Sequence, residues 1–446
     1  MNIVVFSSLI VCFILASIYI GQKTSTSITT SEGYYLSNRK LGTFSLCLTF
    51  LATQLGGGAI VGAADAAYTY GWQAIYYALG LSLGLFILST GVGARLRNKN
   101  ISTIPQIFAD IYKDQWSYKL CSVVYIASTF LILVAIAIAI KKYLIAIGFY
   151  SPFIFLSFWL SLIIYTSIGG LKAVVKTDIV QISVVLVIFL ITLAYLLFNP
   201  LPISGMPTVN NGQSIPWSSW LLMPCLFVII GQDMGQRCFA GASAKNVSTA
   251  TLLAGLLLLT SSLLPTYLGI AASQLGISMQ EDESILIAVI NQATNPTISA
   301  LFSFAILMAI ISTADSLLCA ISSNIAIDIF TKQKDNPNAI VYARVITLMS
   351  GIIAFLVSFH VNNIIQLMVK AYELTIVCFF VPIIVAIVST NPSKLAARLS
   401  ILTGSISYIT LADTFTLPKE IVCLSIAAMG YLLGYLLGKT SSHTQN

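Results

Sequence analysis

Runs of 18 or more mostly apolar residues recur from one end of this chain to the other. As a helix, each run is long enough to cross the ~30 Å of hydrocarbon in a bilayer. Inside hydrocarbon no water satisfies a peptide group, so the backbone must close its hydrogen bonds within a helix or a sealed barrel. A barrel would show short segments of alternating polarity, and these are absent. The composition agrees: 57% of the residues are hydrophobic and only 8% charged, against about 25% charged in soluble domains. The sequence therefore predicts an all-α, polytopic membrane protein forming a single transmembrane domain.

Thirteen spans are expected, at about 2–21, 43–64, 73–95, 119–140, 151–169, 178–198, 217–239, 248–274, 298–327, 340–359, 363–389, 395–412 and 420–438. The first lacks the basic flank and small-residue cleavage site of a signal peptide and is kept as a span. Basic residues mark the cytoplasmic side. With the N-terminus outside, only Lys141, Lys142 and Lys419 of the 22 Lys and Arg fall in outer loops, and Lys370 lies within a span. The others, Arg237, Lys332 and Lys334 among them, fall in cytoplasmic loops or at their edges, and the C-terminus is cytoplasmic. Topology thus accounts for the net charge of +7 without a nucleic-acid partner. The eight cysteines lie in or at the ends of spans with no CxxC spacing, as small apolar core residues do. His360 and His443 form neither a metal cluster nor a catalytic triad.

Two interruptions organise the rest. The second span contains "LATQLGGGAIVG" (51–62), with three consecutive glycines near mid-depth. Each glycine weakens a helix by roughly 1 kcal/mol relative to alanine. Five spans later, in "WLLMPCLFVIIGQDMGQR" (220–237), Pro224 and Gly231 bracket the middle of the seventh span. Five is odd, so these two helices cross in opposite directions. Interrupted helices at matching places in oppositely oriented halves point to an inverted-repeat transporter. The expected division is a peripheral first helix and loop (1–41), a first repeat (42–198), a second repeat (199–389), and two peripheral helices with a short tail (390–446). The competing reading of the glycines is close helix packing, with Gly58 and Gly62 as a small-xxx-small pair. If the helix is broken instead, its freed carbonyls are available to a small cation.

The ninth span, "FAILMAIISTADSLLCAISSNIAIDIF" (304–330), carries Ser312, Thr313, Asp315 and Ser316 at mid-depth. Isolated Ser and Thr bond back to their own helix, but a carboxylate there costs at least ~2.5 kcal/mol and signals function. In "SIGGLKAVVKTDIVQ" (167–181), Gly169 and Gly170 end one helix. Asp178 with Gln181 then fits a capping box for the next.

The segment "GGLKAVVKTDIVQ" resembles the signature of the sodium:solute symporter family, whose members include proline, pantothenate, choline and sugar symporters. "ISTADSLL", "GQDMGQR" and "YYLSNRKLG" (34–42) also resemble family segments, and the likeness extends over essentially the whole chain. It implies a LeuT-type fold with a 5+5 inverted-repeat core, and Na+ as the coupling ion. Carried over by position, it implies sodium ligands at the backbone carbonyls of Ala52, Leu55 and Ala309 and the hydroxyls of Ser312 and Thr313. Such neutral dipoles bind an ion weakly enough to release it. It also implies a second sodium site or release route at Asp178, Ser312, Asp315 and Ser316, where Asp315 departs from the serine the two-sodium pattern often shows.

Lys370 and Glu373 in span eleven are spaced for an ion pair, structural or part of an outer gate. Gln54, Gly58 and Phe227 flank the breaks and are the expected solute contacts. The proline-type members carry an aspartate and a tryptophan where this chain has Gln54 and Gly58, which argues against proline. With no fixed charge facing the pocket apart from Lys370 and Glu373, a small neutral or zwitterionic organic solute is expected. The full expectation is a sodium-coupled symporter importing that solute by alternating access, a monomer in the lipid bilayer of a bacterial inner membrane. It is not an enzyme and holds no metal other than sodium. The other readings are a proton-coupled transporter on the same scaffold, with Asp178 or Asp315 as carrier, and a transport-inactive sensor.

Overall fold

The computed structural model describes residues 1–201, 215–277, 284–330, 338–360, 364–411 and 417–443; Lys332 and Lys334, counted above as cytoplasmic, lie outside them. The chain opens with α1 (Ile3–Ser25) and the short α2 (Ser31–Leu36), then α3 (Thr43–Gln54), α4 (Ala63–Tyr70), α5 (Ile75–Ile87), α6 (Gly93–Asn98) and α7 (Gln106–Asp110). Two long helices follow, α8 (Gln115–Ala146) and α9 (Pro152–Phe198). Then come α10 (Met223–Ile230), α11 (Gln232–Ala240), α12 (Ala244–Gln274), α13 (Ile285–Ala293) and α14 (Pro296–Asn324). The chain ends with α15 (Ala339–Val357), α16 (Ile364–Val388), α17 (Lys394–Thr410) and α18 (Lys419–His443).

Among the described residues, nine helices are long and apolar enough to cross a membrane, or ten if the bent pair α10–α11 counts as one. This is fewer than the thirteen expected, for local reasons. The glycine run leaves α3 only 12 residues long, and α17 has 17. Two expected spans merge in α9, which is 47 residues long and turns only at Gly170, where φ is +53°. The left-handed region costs glycine little, so one residue does the work of a loop. The carbonyl of Tyr34 lies 2.6 Å from where a Cβ at Gly170 would stand, so a side chain is also excluded by space.

That turn overturns the capping reading of Asp178. The helix restarts at Gly170, and Asp178 lies well inside it, fully buried.

The helices sort by surroundings. The apolar window of α14 is buried along its whole length, whereas α1 is only 11% buried. In hydrocarbon an apolar side chain loses nothing by facing lipid, so a helix in the middle of the bundle can carry polar groups and a peripheral one cannot. Ser312, Thr313, Asp315 and Ser316 therefore sit on a long helix enclosed by protein. The peripheral α17 is pinned by Asp114, which precedes α8 and receives Arg398 through two hydrogen bonds of 2.8 and 2.7 Å. Burial pushes the Asp114 carboxyl up, but hydrogen bonds from Arg398 and Ser117 outweigh it and hold it at about 2.

Candidate functional site

The first interruption forms as an actual break. Leu55 leaves helical geometry (φ −82°, ψ 54°), and after Gly56 and Gly57 the chain resumes in a wide turn, Gly58–Gly62, that leads into α4. The amide of Ile60 reaches the Gly56 carbonyl at 3.1 Å. Close packing of Gly58 and Gly62 against another helix explains little. No neighbouring helix comes within 4 Å of a Cβ placed at Gly62, and at Gly58 the contact is the Tyr77 side chain, 3.2 Å away. The demanding position is Gly56, where a Cβ would collide with the Thr313 hydroxyl.

Across this break α14 presents its hydroxyls. Ser312 Oγ donates to the Ala52 carbonyl at 2.8 Å and to the Ala309 carbonyl at 2.9 Å. Thr313 Oγ1 faces the carbonyls of Thr53 (3.2 Å) and Ala309 (3.4 Å). Ala52, Leu55, Ala309 and Ser312 are at most 1% exposed, and Thr313 is 9% exposed. The structure thus gathers the carbonyls of Ala52 and Ala309 with both hydroxyls, all uncharged oxygens, around the end of α3. It adds Thr53, which the sequence reading did not include. Leu55 sits at the break itself, while the two hydroxyls point to the carbonyls of Ala52, Thr53 and Ala309.

One turn along α14 lies a different cluster, organised by a residue the sequence reading misplaced. Arg237 had been counted with the loop charges; it sits inside α11 and is fully buried. Its guanidinium reaches Asp178 Oδ2 at 3.3 Å, Ser316 Oγ at 2.5 Å and Thr49 Oγ1 at 3.0 Å. Thr49 in turn donates to Asp178. Asp315 turns the other way and accepts from the Tyr165 hydroxyl at 2.6 Å. Asp178, Asp315 and Ser316 are therefore neighbours, but a fixed guanidinium already stands between Asp178 and Ser316. The true end of the helix is Gly241–Ser243, where the Ser243 hydroxyl caps α12.

Beside the break opens a cavity lined by Gln54, Gly58, Phe227 and Thr313, together with Tyr77, Asp233 and Tyr372. Gln54, Gly58 and Phe227 thus meet in one place. The sequence reading names neither Tyr77 nor Tyr372 and does not assign Asp233, which follows the second break, to the pocket, since nothing in a single sequence tells which face of a helix such a residue takes. The Tyr77 and Tyr372 hydroxyls are 3.2 Å apart. The two rings also border a second cavity with Gly62, Ser219 and Trp220. The tyrosine pair is thus a partition between the two spaces. Lys370 is exposed, Glu373 accepts from Tyr408 of α17 at 3.0 Å, and neither lines either cavity. The fixed charge that does line the first cavity is Asp233.

The model of the sodium:solute symporter family matches residues 34–207 and 201–404. The sodium/pantothenate symporter of Haemophilus influenzae is 26% identical, over 91% of this chain and 90% of that protein. The sodium/proline symporter of Salmonella typhimurium is also 26% identical, over 79% and 76%. Among solved structures, a substrate-bound, outward-open Na+-coupled sialic acid symporter superposes with a TM-score of 0.79 at 17% identity, covering 96% of each chain. MHP1, a nucleobase-cation-symport-1 family transporter in a closed conformation, superposes with a TM-score of 0.63, covering 91% of this chain and 94% of that one. The fold is LeuT-type, Na+ is the coupling ion, and the chain belongs to the sodium:solute symporter family.

Proposed function

We propose that the coupling sodium is held by the carbonyls of Ala52, Leu55 and Ala309 and the hydroxyls of Ser312 and Thr313, and that a small organic solute occupies the adjoining cavity. The observation that carries this reading is the meeting of Ser312 with the Ala52 carbonyl, 2.8 Å apart across a break in the helix. Oxygens that close already stand as neighbours around one small ion would. All are neutral, so the ion is held without being trapped. Thr313 belongs to both places: it faces the broken helix and lines the cavity. Sodium that draws Thr313 toward the break shapes the solute site, which is how occupancy of one favours the other.

The second sodium position is better read as a release route. Arg237 neutralises Asp178 from within the protein, while Asp178 Oδ1 makes no hydrogen bond and offers a departing cation one passing contact. Residues 42–198 and 199–389 are the two inverted repeats, and rocking of one helix bundle against the rest exposes the sodium and solute sites to the cytoplasm. The N-terminus lies outside and the C-terminus in the cytoplasm of a bacterial inner membrane; with Arg237 removed from the loops, the remaining basic residues keep that bias. Import is driven by about 2.3 kcal/mol per charge at 100 mV and about 1.4 kcal/mol from a tenfold sodium gradient.

The test is thermal stabilisation of the purified protein by sodium. Ser312→Ala and Thr313→Ala are each expected to abolish it. Wild-type sodium dependence in both variants sinks the assignment. Solute uptake driven by a pH gradient without sodium would favour proton coupling instead.

A further inference from the structure

The cavity is lined by one acidic side chain whose position the fold takes trouble to fix. Asp233 lies in the first turn of α11, just past Gly231, and is 6% exposed. Its carboxylate folds back across the break: a Cβ at Gly231 would come within 2.7 Å of Asp233 Oδ1. Glycine at 231 is what leaves room for it. The nearby arginine spends its side-chain hydrogen bonds elsewhere. Arg237 directs its side chain to Asp178, Ser316 and Thr49, and touches Asp233 only at the main-chain carbonyl, 3.1 Å away. Among the described residues no Lys or Arg forms an ion pair with the Asp233 side chain.

The surroundings are aromatic. Phe227 and Tyr372 pack with ring centroids 4.4 Å apart, and the Tyr77 hydroxyl meets that of Tyr372. A cavity lined by a buried carboxyl group and aromatic rings is selective. It attracts a cation twice over, by the charge of the carboxylate and by the ring quadrupoles. It repels an anion, and a neutral solute leaves it without a counter-charge.

We propose that the transported solute carries a positively charged nitrogen, an ammonium or quaternary ammonium group, seated on the Asp233 carboxylate against Phe227, Tyr77 and Tyr372. This rests on reading the cavity as the solute site, and narrows the expected solute to zwitterions and organic cations.

The experiment is a thermal-shift titration of purified protein in saturating sodium with choline, glycine betaine, proline, pantothenate and glucose. At least one of the three nitrogen cations is expected to raise the unfolding temperature, while pantothenate and glucose do not. Asp233→Asn should weaken that solute at least tenfold, and Asp233→Glu should weaken it less. Stabilisation by pantothenate or glucose alone, stabilisation by none of the five, or unchanged affinity in Asp233→Asn would each overturn the proposal. Should Asp233→Asn fail to fold, Phe227→Leu replaces it: weaker binding of the cation supports the proposal, and unchanged binding overturns it. The sodium titration without solute is read on the same wild-type sample. Its absence strikes at the sodium site and not at Asp233.

Discussion

The two broken helices treat their freed peptide groups in opposite ways. At the end of α3 the Ala52 and Thr53 carbonyls meet Ser312 and Thr313, hydroxyls on a separate helix. Between α10 and α11 the break is closed on itself. The Ile230 carbonyl accepts from Tyr125 at 2.9 Å, the Gly231 amide donates to Phe227 at 2.6 Å, and the Gln232 carboxamide joins Ile104 to Ser323. The first break is held by neutral contacts that an ion can replace. The second is a finished scaffold that aims Asp233 at the cavity and Arg237 away from it. Interrupting a helix does not by itself make an ion site; what its carbonyls face decides that.

The second break leads into α11, which is tied to α9 by the buried Arg237–Asp178 pair, and removing that charge gives the largest effect. Arg237→Met leaves Asp178 buried without a partner, and a loss of about 3–5 kcal/mol is expected, read as lost expression or thermal stability. Adding Asp178→Leu should restore most of it, since an apolar pair of similar volume is often neutral. A stable single variant would mean that the two breaks do not differ in this way.

The first break should answer to space rather than charge. Gly56→Ala pushes a methyl into Thr313, an overpacking cost of about 1–3 kcal/mol. Since 1.4 kcal/mol is tenfold in affinity, sodium half-saturation should rise roughly tenfold. Gly62→Ala, with nothing nearer than the Gly57 carbonyl at 3.8 Å, should leave it unchanged. Equal effects at the two glycines would remove Thr313 from the argument.

The smallest effect separates the breaks most cleanly. Tyr125→Phe takes one hydrogen bond from Ile230, and thermal stability should fall by about 0.5–1.5 kcal/mol with the sodium titration unmoved. A shift in that titration would show that the two breaks act as one site.

The membrane itself made much of this legible. Polar groups are costly in hydrocarbon, so Ser312, Thr313 and Asp315 stood out in α14, as the glycine run did in α3. The same contrast fails at the ends of spans, where charge is ordinary. Arg237 looked like a loop residue because it follows a short polar run. The signal against this was the stronger boundary further on, the capping serine at 243. Asp178 was mistaken for a cap because Gly169 and Gly170 suggested a loop where the chain makes a one-residue turn. Which rings line the cavity depends on how helices rotate against one another, and hydropathy carries no trace of that.

One joint remains to be considered. The Leu41 amide binds the Ala240 carbonyl at 3.1 Å, and the Ala242 amide binds the Leu41 carbonyl at 2.9 Å. The entry to α3 is thereby stitched to the exit of α11. Side chains alone tie α3 to Ser312 and Thr313, whereas this seam is made of peptide bonds' own donors and acceptors and does not titrate, rotate or exchange with an ion. The start of one interrupted helix and the end of the other are thus one piece of backbone-bonded structure, and a displacement of either is handed to the other at that seam.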